Sequence, residues 1–71
     1  MIGTIKNLPT GKDYGFIATS IIGDVFFHAS ELTDNLSIDD LRIGDSVDFT
    51  PVSSDKGYVA QQVKIAITTN G

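Results

Sequence analysis

The sequence predicts an all-β domain in which five short antiparallel strands close into a small barrel. Apolar residues alternate with polar ones at a period of two, and no segment has the 3.6-residue period of an amphipathic helix. Clusters of glycine, aspartate, serine and proline separate these segments and mark turns. Several short strands joined by such turns favour a barrel, because a closed sheet leaves no strand edge unpaired.

The first three strands are predicted from residue types and turn signals. Residues 2–8 include several β-branched side chains, although they alternate poorly. The turn signal at residues 9–11 separates them from a second strand over residues 14–19, which alternates well. The turn signal at residues 23–24 then introduces a third strand over residues 25–28.

The last two strands form the C-terminal part of the predicted sheet. The fourth is expected to follow the turn at residues 44–45 and to end at Pro51, because proline has no N–H for a ladder hydrogen bond. The fifth begins after the polar turn at residues 53–57 and alternates through residues 63–67.

The longest connection, residues 30–44, is polar with scattered apolar residues. Within it Ser37 is predicted to cap one helical turn that extends to Leu41, because serine accepts a hydrogen bond from a backbone N–H at a helix start. The residues predicted to fill the barrel are the apolar members of the alternation: Ile5, Ile17, Val25, Phe27, Val47, Phe49 and Val63.

The 71 residues predict one domain over residues 1–67 and a loose tail at residues 68–71. A chain of this size buries only about 60% of its unfolded surface, so we expect no large enclosed pocket, no cofactor and no small-molecule substrate. The absence of cysteine excludes disulfides, zinc thiolate sites and thiol nucleophiles. There is no targeting signal and no apolar run of about 18 residues. We therefore expect a cytoplasmic protein that does not contact membranes.

The segment KDYGFIAT, residues 12–19, places Tyr14 and Phe16 on one face of the second strand, on either side of a glycine. On the third strand Phe26 and His28 alternate with residues of the predicted core in the same way. We expect these four side chains to form a surface patch on two adjacent strands. Exposed clusters of this kind mark binding sites, and rings on a sheet suit the stacking of unpaired bases.

The same alternation allows the opposite orientation of the two strands. In that arrangement the three rings would point inwards, and Ile17 would lie on the surface. It would also bury Asp24 and His28 on the inner face, which is costly because polar groups lose their hydration. The outward orientation of the rings is therefore the favoured interpretation.

His28 is the single histidine, and no cluster of carboxylates is evident that would complete a metal site with it. Asp24, His28 and Ser30 supply the residue types of a catalytic triad. However, three alternate residues of one short strand do not converge as a triad does, and no oxyanion loop is evident. We expect neither a bound metal nor an enzyme.

Two motifs in this region are familiar. Residues 12–17, Lys-Asp-Tyr-Gly-Phe-Ile, are similar to the first RNA-binding motif of the cold-shock proteins, roughly Lys-Gly-Phe/Tyr-Gly-Phe-Ile. Residues 24–30, Asp-Val-Phe-Phe-His-Ala-Ser, are similar to the second, roughly Asp-Val-Phe-Val-His-Phe-Ser. Three further segments keep the order and spacing of the family: residues 3–6, 41–49 and 56–60. The chain therefore resembles the bacterial cold-shock proteins and the cold-shock domain from residue 3 to about residue 65.

The resemblance implies a five-stranded antiparallel barrel of the OB type that binds single-stranded RNA or DNA and acts as an RNA chaperone. It also implies which residues contact nucleic acid: Lys6, Lys12, Tyr14, Phe16, Phe26, His28 and Lys56. The net charge of −4 argues against a nucleic-acid partner, because phosphate contacts need basic residues. However, three of the five basic residues fall at these positions, while the acidic residues concentrate between residues 31 and 48.

The chain also departs from the family at positions that usually carry rings or glycine. Asn7 stands where a surface tryptophan is usual, Ala29 replaces an aromatic, and Ile38 aligns best with a loop phenylalanine. Asp13 replaces a glycine, and Tyr58, where proline is usual, would supply one replacement ring. Because each stacked base contributes about 1–3 kcal/mol, we expect weaker binding than is typical.

These departures leave a second function open. The chain would then be a degenerate cold-shock-like barrel that binds a protein partner or assembles with itself. The retained residues of the two motifs favour nucleic-acid binding over this alternative. A monomer is expected, and a domain-swapped or other homodimer is the alternative assembly.

Overall fold

The computed structural model describes residues 1–33, 35–55 and 57–66. The strands are β1 (Ile2–Asn7), β2 (Tyr14–Ala18), β3 (Asp24–His28), β4 (Ser46–Ser54) and β5 (Gly57–Ile65). Two short 3₁₀ turns, Ala29–Glu31 and Ile38–Asp40, lie in the connection between β3 and β4. The strands close into a barrel in the order β1-β2-β3-β5-β4. The predicted all-β, five-stranded barrel is confirmed.

Four of the five seams between strands are antiparallel, and the fifth, between β3 and β5, is parallel. An odd number of strands cannot alternate in direction all the way around a closed ring, so one seam must be parallel. The parallel seam is short, with Phe26 opposite Val59. It brings the first part of β5 beside the third strand, which bears two of the predicted site residues.

All residues predicted for the interior are buried, with exposed fractions of 3% or less: Ile5, Ile17, Val25, Phe27, Val47, Phe49 and Val63. Leu41 and Ala60 are also buried in this core. Neighbouring residues on β3 differ clearly in burial: Phe27 is fully buried, whereas Phe26 is only half-buried. The orientation with the rings outside is therefore the one that the chain adopts.

Pro51 does not end the fourth strand, so this prediction is wrong. β4 continues to Ser54, and Pro51 lies opposite Ala60 of β5. The strand register with β1 covers only residues 46–48 of β4. Phe49 still exchanges hydrogen bonds with Met1, and beyond it the side of β4 away from β5 has no strand partner among the described residues. Proline is tolerated there because its missing N–H faces that side, as on an edge strand.

The predicted turn at Ser37 is present. The Ser37 side chain accepts a hydrogen bond from the backbone N–H of Asp39, and the Asp40 carboxylate accepts one from the backbone N–H of Ser37. This reciprocal arrangement is a capping box, and the turn ends at Leu41. Ile67 and the predicted tail lie outside the described residues. In the described part of the chain, no helix is long and apolar enough to span a bilayer.

Candidate nucleic-acid interface

The glycine between the two rings of the second strand is required by the core beneath it. Gly15 lies opposite Phe27 in the β2–β3 register and is buried. A Cβ at this position would stand 2.8 Å from two atoms of the Phe27 ring and 2.8 Å from the backbone oxygen of Asn7. The ring of Phe27 therefore fills the space that a side chain at residue 15 would need. Packing on the inner face therefore requires glycine at residue 15, whereas the neighbouring Tyr14 and Phe16 point outwards and can carry rings.

The strand register arranges the predicted outer residues in rows. Tyr14 lies opposite His28, and Phe16 lies opposite Phe26. Opposed residues of an antiparallel pair point to the same face of the sheet, so all four side chains share one surface. We call these four residues, Tyr14, Phe16, Phe26 and His28, the aromatic patch.

The three carbocyclic rings of the patch contact one another. Tyr14 and Phe26 are stacked with ring centroids 5.6 Å apart. Phe16 meets both of them edge to face, at 6.1 Å from Tyr14 and 5.8 Å from Phe26. Aromatic pairs in these arrangements stabilise one another by about 0.5–1.5 kcal/mol. The rings are half-buried, so mutual packing fixes their positions while part of each remains open to solvent.

His28 is exposed and is held by the turn that follows its strand. Its Nδ1 accepts a hydrogen bond of 3.0 Å from the backbone N–H of Ser30 and lies 3.0 Å from the Ser30 hydroxyl. Because Nδ1 acts as an acceptor, the neutral ring carries its proton on Nε2. The Asp24 carboxylate contacts Lys6 instead of the histidine. Asp24, His28 and Ser30 thus do not form the chain of hydrogen bonds that a catalytic triad requires.

Two of the three predicted lysines are described, and they differ in their surroundings. The Nζ of Lys6 lies 2.7 Å from Oδ2 of Asp24, so this side chain reaches from β1 over β2 to β3. Lys12 is exposed in the turn before β2. Lys56 lies outside the described residues. The charge of Lys6 is therefore already shared with a carboxylate at the border of the patch.

Tyr58 extends the aromatic surface across the parallel seam. It is exposed and lines a groove of about 630 Å³. The other residues that line this groove are Phe16, Phe26, Ser54, Asp55 and Val59. Ser54, Asp55 and Val59 were not identified from the sequence, because they join the patch only through the closure of the barrel. The groove spans β2, β3, β5 and the end of β4.

The three positions that lack the usual ring have different environments. Lys6 is the extra residue of a bulge in β1, and the bulge places the exposed Asn7 opposite Phe16, next to the patch. Ala29 is half-buried at the start of a 3₁₀ turn. Ile38 packs against the core. Only Asn7 is thus both exposed and aligned with the patch.

Within residues 1–33, 35–55 and 57–66, no three side chains of the types that bind metals cluster together. The patch offers ring faces, one imidazole N–H and nearby lysines. These groups are suited to binding by stacking, hydrogen bonding and charge.

The chain belongs to the cold-shock domain family, since the family model described as the 'Cold-shock' DNA-binding domain matches residues 1–66. Its members are nucleic-acid-binding domains that take up single strands, and the chain is accordingly a nucleic-acid-binding domain. The resemblance found in the two motifs is confirmed.

A solved structure described as drosophila Unr CSD456 has the same fold. It aligns with a TM-score of 0.70 and 24% sequence identity over 99% of this chain. The alignment covers 28% of that longer chain, and at this identity it shows the fold alone. Among curated proteins, none matches the chain significantly.

Proposed function

We propose that this domain binds single-stranded RNA or DNA by stacking unpaired bases on the aromatic patch, and that it acts as an RNA chaperone. The observation that carries the proposal is the set of three contacting rings, half open to solvent, on one face of β2 and β3. Flat ring faces held in place by their neighbours are suited to bases, because every base has a face to stack.

The charge distribution supports stacking as the main source of affinity. The net charge is −4, and Lys6 is paired with Asp24. Few phosphates are therefore neutralised, and the dependence of affinity on salt is shallow. Each stacked base contributes about 1–3 kcal/mol, so a few bases suffice for binding without a strongly basic surface.

The test is a titration of the protein with heptathymidine, followed residue by residue by NMR. Signals of Tyr14, Phe16, Phe26 and His28 are expected to shift together. Phe16→Ala is expected to weaken binding by about 1–3 kcal/mol. Phe16→Tyr keeps the ring and is expected to keep the affinity, whereas Phe16→Leu keeps apolar bulk and is expected to lose most of it. A Phe16→Leu protein that binds as the parent does would show that hydrophobic contact, not stacking, holds the strand.

Duplex DNA of equal length provides the second arm of the test. Its bases are stacked on each other and offer no free faces, so it is expected to bind much more weakly. If duplex and single strand bind alike, the contact is merely electrostatic. A lack of binding to either would favour the protein-partner or self-assembly function instead.

The chaperone activity follows from preferential binding to unpaired strands. A ligand that binds only the open form of an RNA hairpin stabilises that form by mass action. The protein is therefore expected to lower the melting temperature of a hairpin progressively as its concentration rises above Kd, with a logarithmic dependence, and the Phe16→Ala variant is expected to do so less. An unchanged melting temperature at saturating protein would contradict this part of the proposal.

A further inference from the structure

The groove beside the patch is lined by two polar residues at the tip of the β4–β5 hairpin as well as by rings. Ser54 and Asp55 line it together with Phe16, Phe26, Tyr58 and Val59. The Ser54 hydroxyl donates its hydrogen to the backbone oxygen of Gly57 at 2.8 Å. Its remaining lone pairs can only accept, as can an ionised carboxylate. The lining of an aromatic groove thus includes hydrogen-bond acceptors at the hairpin tip.

The described lysines of the site and the carboxylates that line its two clefts lie on different sides. Lys6 and Lys12 lie on the side of β1 and β2, whereas Asp55 lies at the β5 side of the groove. Glu31 lines an adjoining cleft of about 200 Å³ that also contacts Phe26 and His28. Carboxylates repel phosphates, so the sugar-phosphate backbone of a bound strand is expected on the lysine side. The bases then extend across the rings, and their edges reach the carboxylate side.

The bases differ in what their edges offer to such acceptors. Guanine presents two adjacent donors, N1–H and the 2-amino group, which match the two oxygens of one carboxylate. Cytosine and adenine present an amino group next to a ring acceptor, and carboxylates are known to accept from the cytosine amino group. Thymine and uracil present one N–H between two carbonyl oxygens, which repel a carboxylate. In single strands these edges are unpaired and available.

We infer that the groove between Phe26 and Tyr58 is a base-selective subsite in which Asp55 favours guanine over thymine or uracil. This inference rests on the proposed function, since it requires a stacked strand on the patch. It adds that the carboxylate reads the edge of one base, while the rings accept any base face.

The experiment uses heptathymidine and the set of heptamers in which one thymine is replaced by guanine, one position at a time. Affinities are measured by fluorescence titration for the parent and for Asp55→Asn. At one position, guanine is expected to bind the parent about fivefold or more tightly than thymine, the lower end of what a bidentate contact provides. In Asp55→Asn this preference is expected to fall severalfold. Hypoxanthine at the same position lacks the 2-amino donor and is expected to lose part of the gain.

Asp48→Asn is the matched control, because it removes the same charge from a residue that lines a different groove. It is expected to keep the guanine preference. The inference would be overturned if guanine gave the parent no gain in affinity at any position, or if the guanine preference were unchanged in Asp55→Asn. Either result with heptathymidine still bound, and still weakened by Phe16→Ala, would leave the proposed function standing. Absence of binding to every heptamer would overturn both.

Discussion

Phe26 and Phe27 are adjacent residues of β3, yet their side chains lie on opposite faces of the barrel wall. Phe27 is fully buried and packs beneath Gly15. Phe26 is half-buried, stacks with Tyr14 and lines two clefts. The inner ring is held in place by the buried side chains of the core around it. The outer ring is held by other rings and leaves part of its surface for a ligand. Identical side chains therefore contribute to stability on one face and to binding on the other.

The largest effect that separates the two faces is expected from alanine substitutions of these two residues. Phe27→Ala leaves a cavity in the core and is expected to cost about 3–5 kcal/mol of unfolding free energy. That is most of the stability of a small domain. Phe26→Ala removes the same atoms one residue away and is expected to cost less, about 1–3 kcal/mol for the loss of its two ring contacts. Urea denaturation followed by circular dichroism measures both. Equal costs would contradict the division between faces.

A smaller effect on stability is expected from Gly15→Ala. The added methyl group meets the Phe27 ring and the Asn7 backbone oxygen, both at 2.8 Å. Overpacking of this kind costs about 1–3 kcal/mol. In a Phe27→Leu background the ring atoms are gone and only the backbone contact remains, so the same substitution is expected to cost less. A double-mutant cycle measures this coupling, and strictly additive costs would show that the ring is not what excludes a side chain at residue 15.

On the outer face, Asn7→Trp is expected to strengthen binding. Asn7 lies opposite Phe16, so a ring there would extend the patch by one row. One added stacking platform contributes about 1–3 kcal/mol, which corresponds to a tenfold gain or so in affinity for heptathymidine. Ile38→Phe is a matched control because Ile38 packs against the core, and it is expected to give no comparable gain. An Asn7→Trp variant with unchanged affinity would favour the protein-partner function over base stacking on the patch.

Tyr58→Pro tests the same surface from the other side of the groove. Tyr58 is exposed beside Phe16 and Phe26, and proline supplies a smaller face without a π system. If Tyr58 holds a base, its replacement is expected to weaken heptathymidine binding by about 1–3 kcal/mol. Tyr58→Phe keeps the ring and is expected to bind as the parent does. Equal affinity of the proline variant and the parent would remove Tyr58 from the site.

Which side chains face the core and which face outwards could be predicted from the sequence, because this depends on alternation between adjacent residues of one strand. Val25 and Phe27 alternate with Phe26 and His28, and a strand must bury one set and expose the other. Ser37 was predictable for a similar reason, since capping involves residues only a few positions apart. The core of the barrel followed from the same alternation.

The features that were not predicted depend on closure of the barrel, which leaves no pattern in any short stretch of the sequence. The parallel seam places Val59 beside Phe26, more than thirty residues away, and brings Asp55 and Tyr58 to the patch. Pro51 is tolerated because β4 extends beyond its partner β1, a fact about strand register and not about proline. The ion pair between Lys6 and Asp24 likewise needs β1, β2 and β3 in their final order.

The smallest effect is expected from that ion pair, which lies at the border of the outer face. Both side chains are about half exposed, at 55% and 52%, so the pair contributes about 0.2–1 kcal/mol to stability. Under the proposed function we expect its larger effect to be on binding, because the Asp24 carboxylate offsets the charge that Lys6 would present to a phosphate. Asp24→Asn is expected to release the lysine, to tighten heptathymidine binding at low salt and to steepen the salt dependence. For a single strand the slope changes by about 0.7 for each phosphate neutralised.

Lys6→Gln is expected to change the parent little but to abolish the gain in Asp24→Asn. Asp48→Asn, with the same change of net charge, is expected to leave the slope as it is. If Asp24→Asn and Asp48→Asn steepen the slope equally, the effect is one of net charge, and the pair does not restrain Lys6.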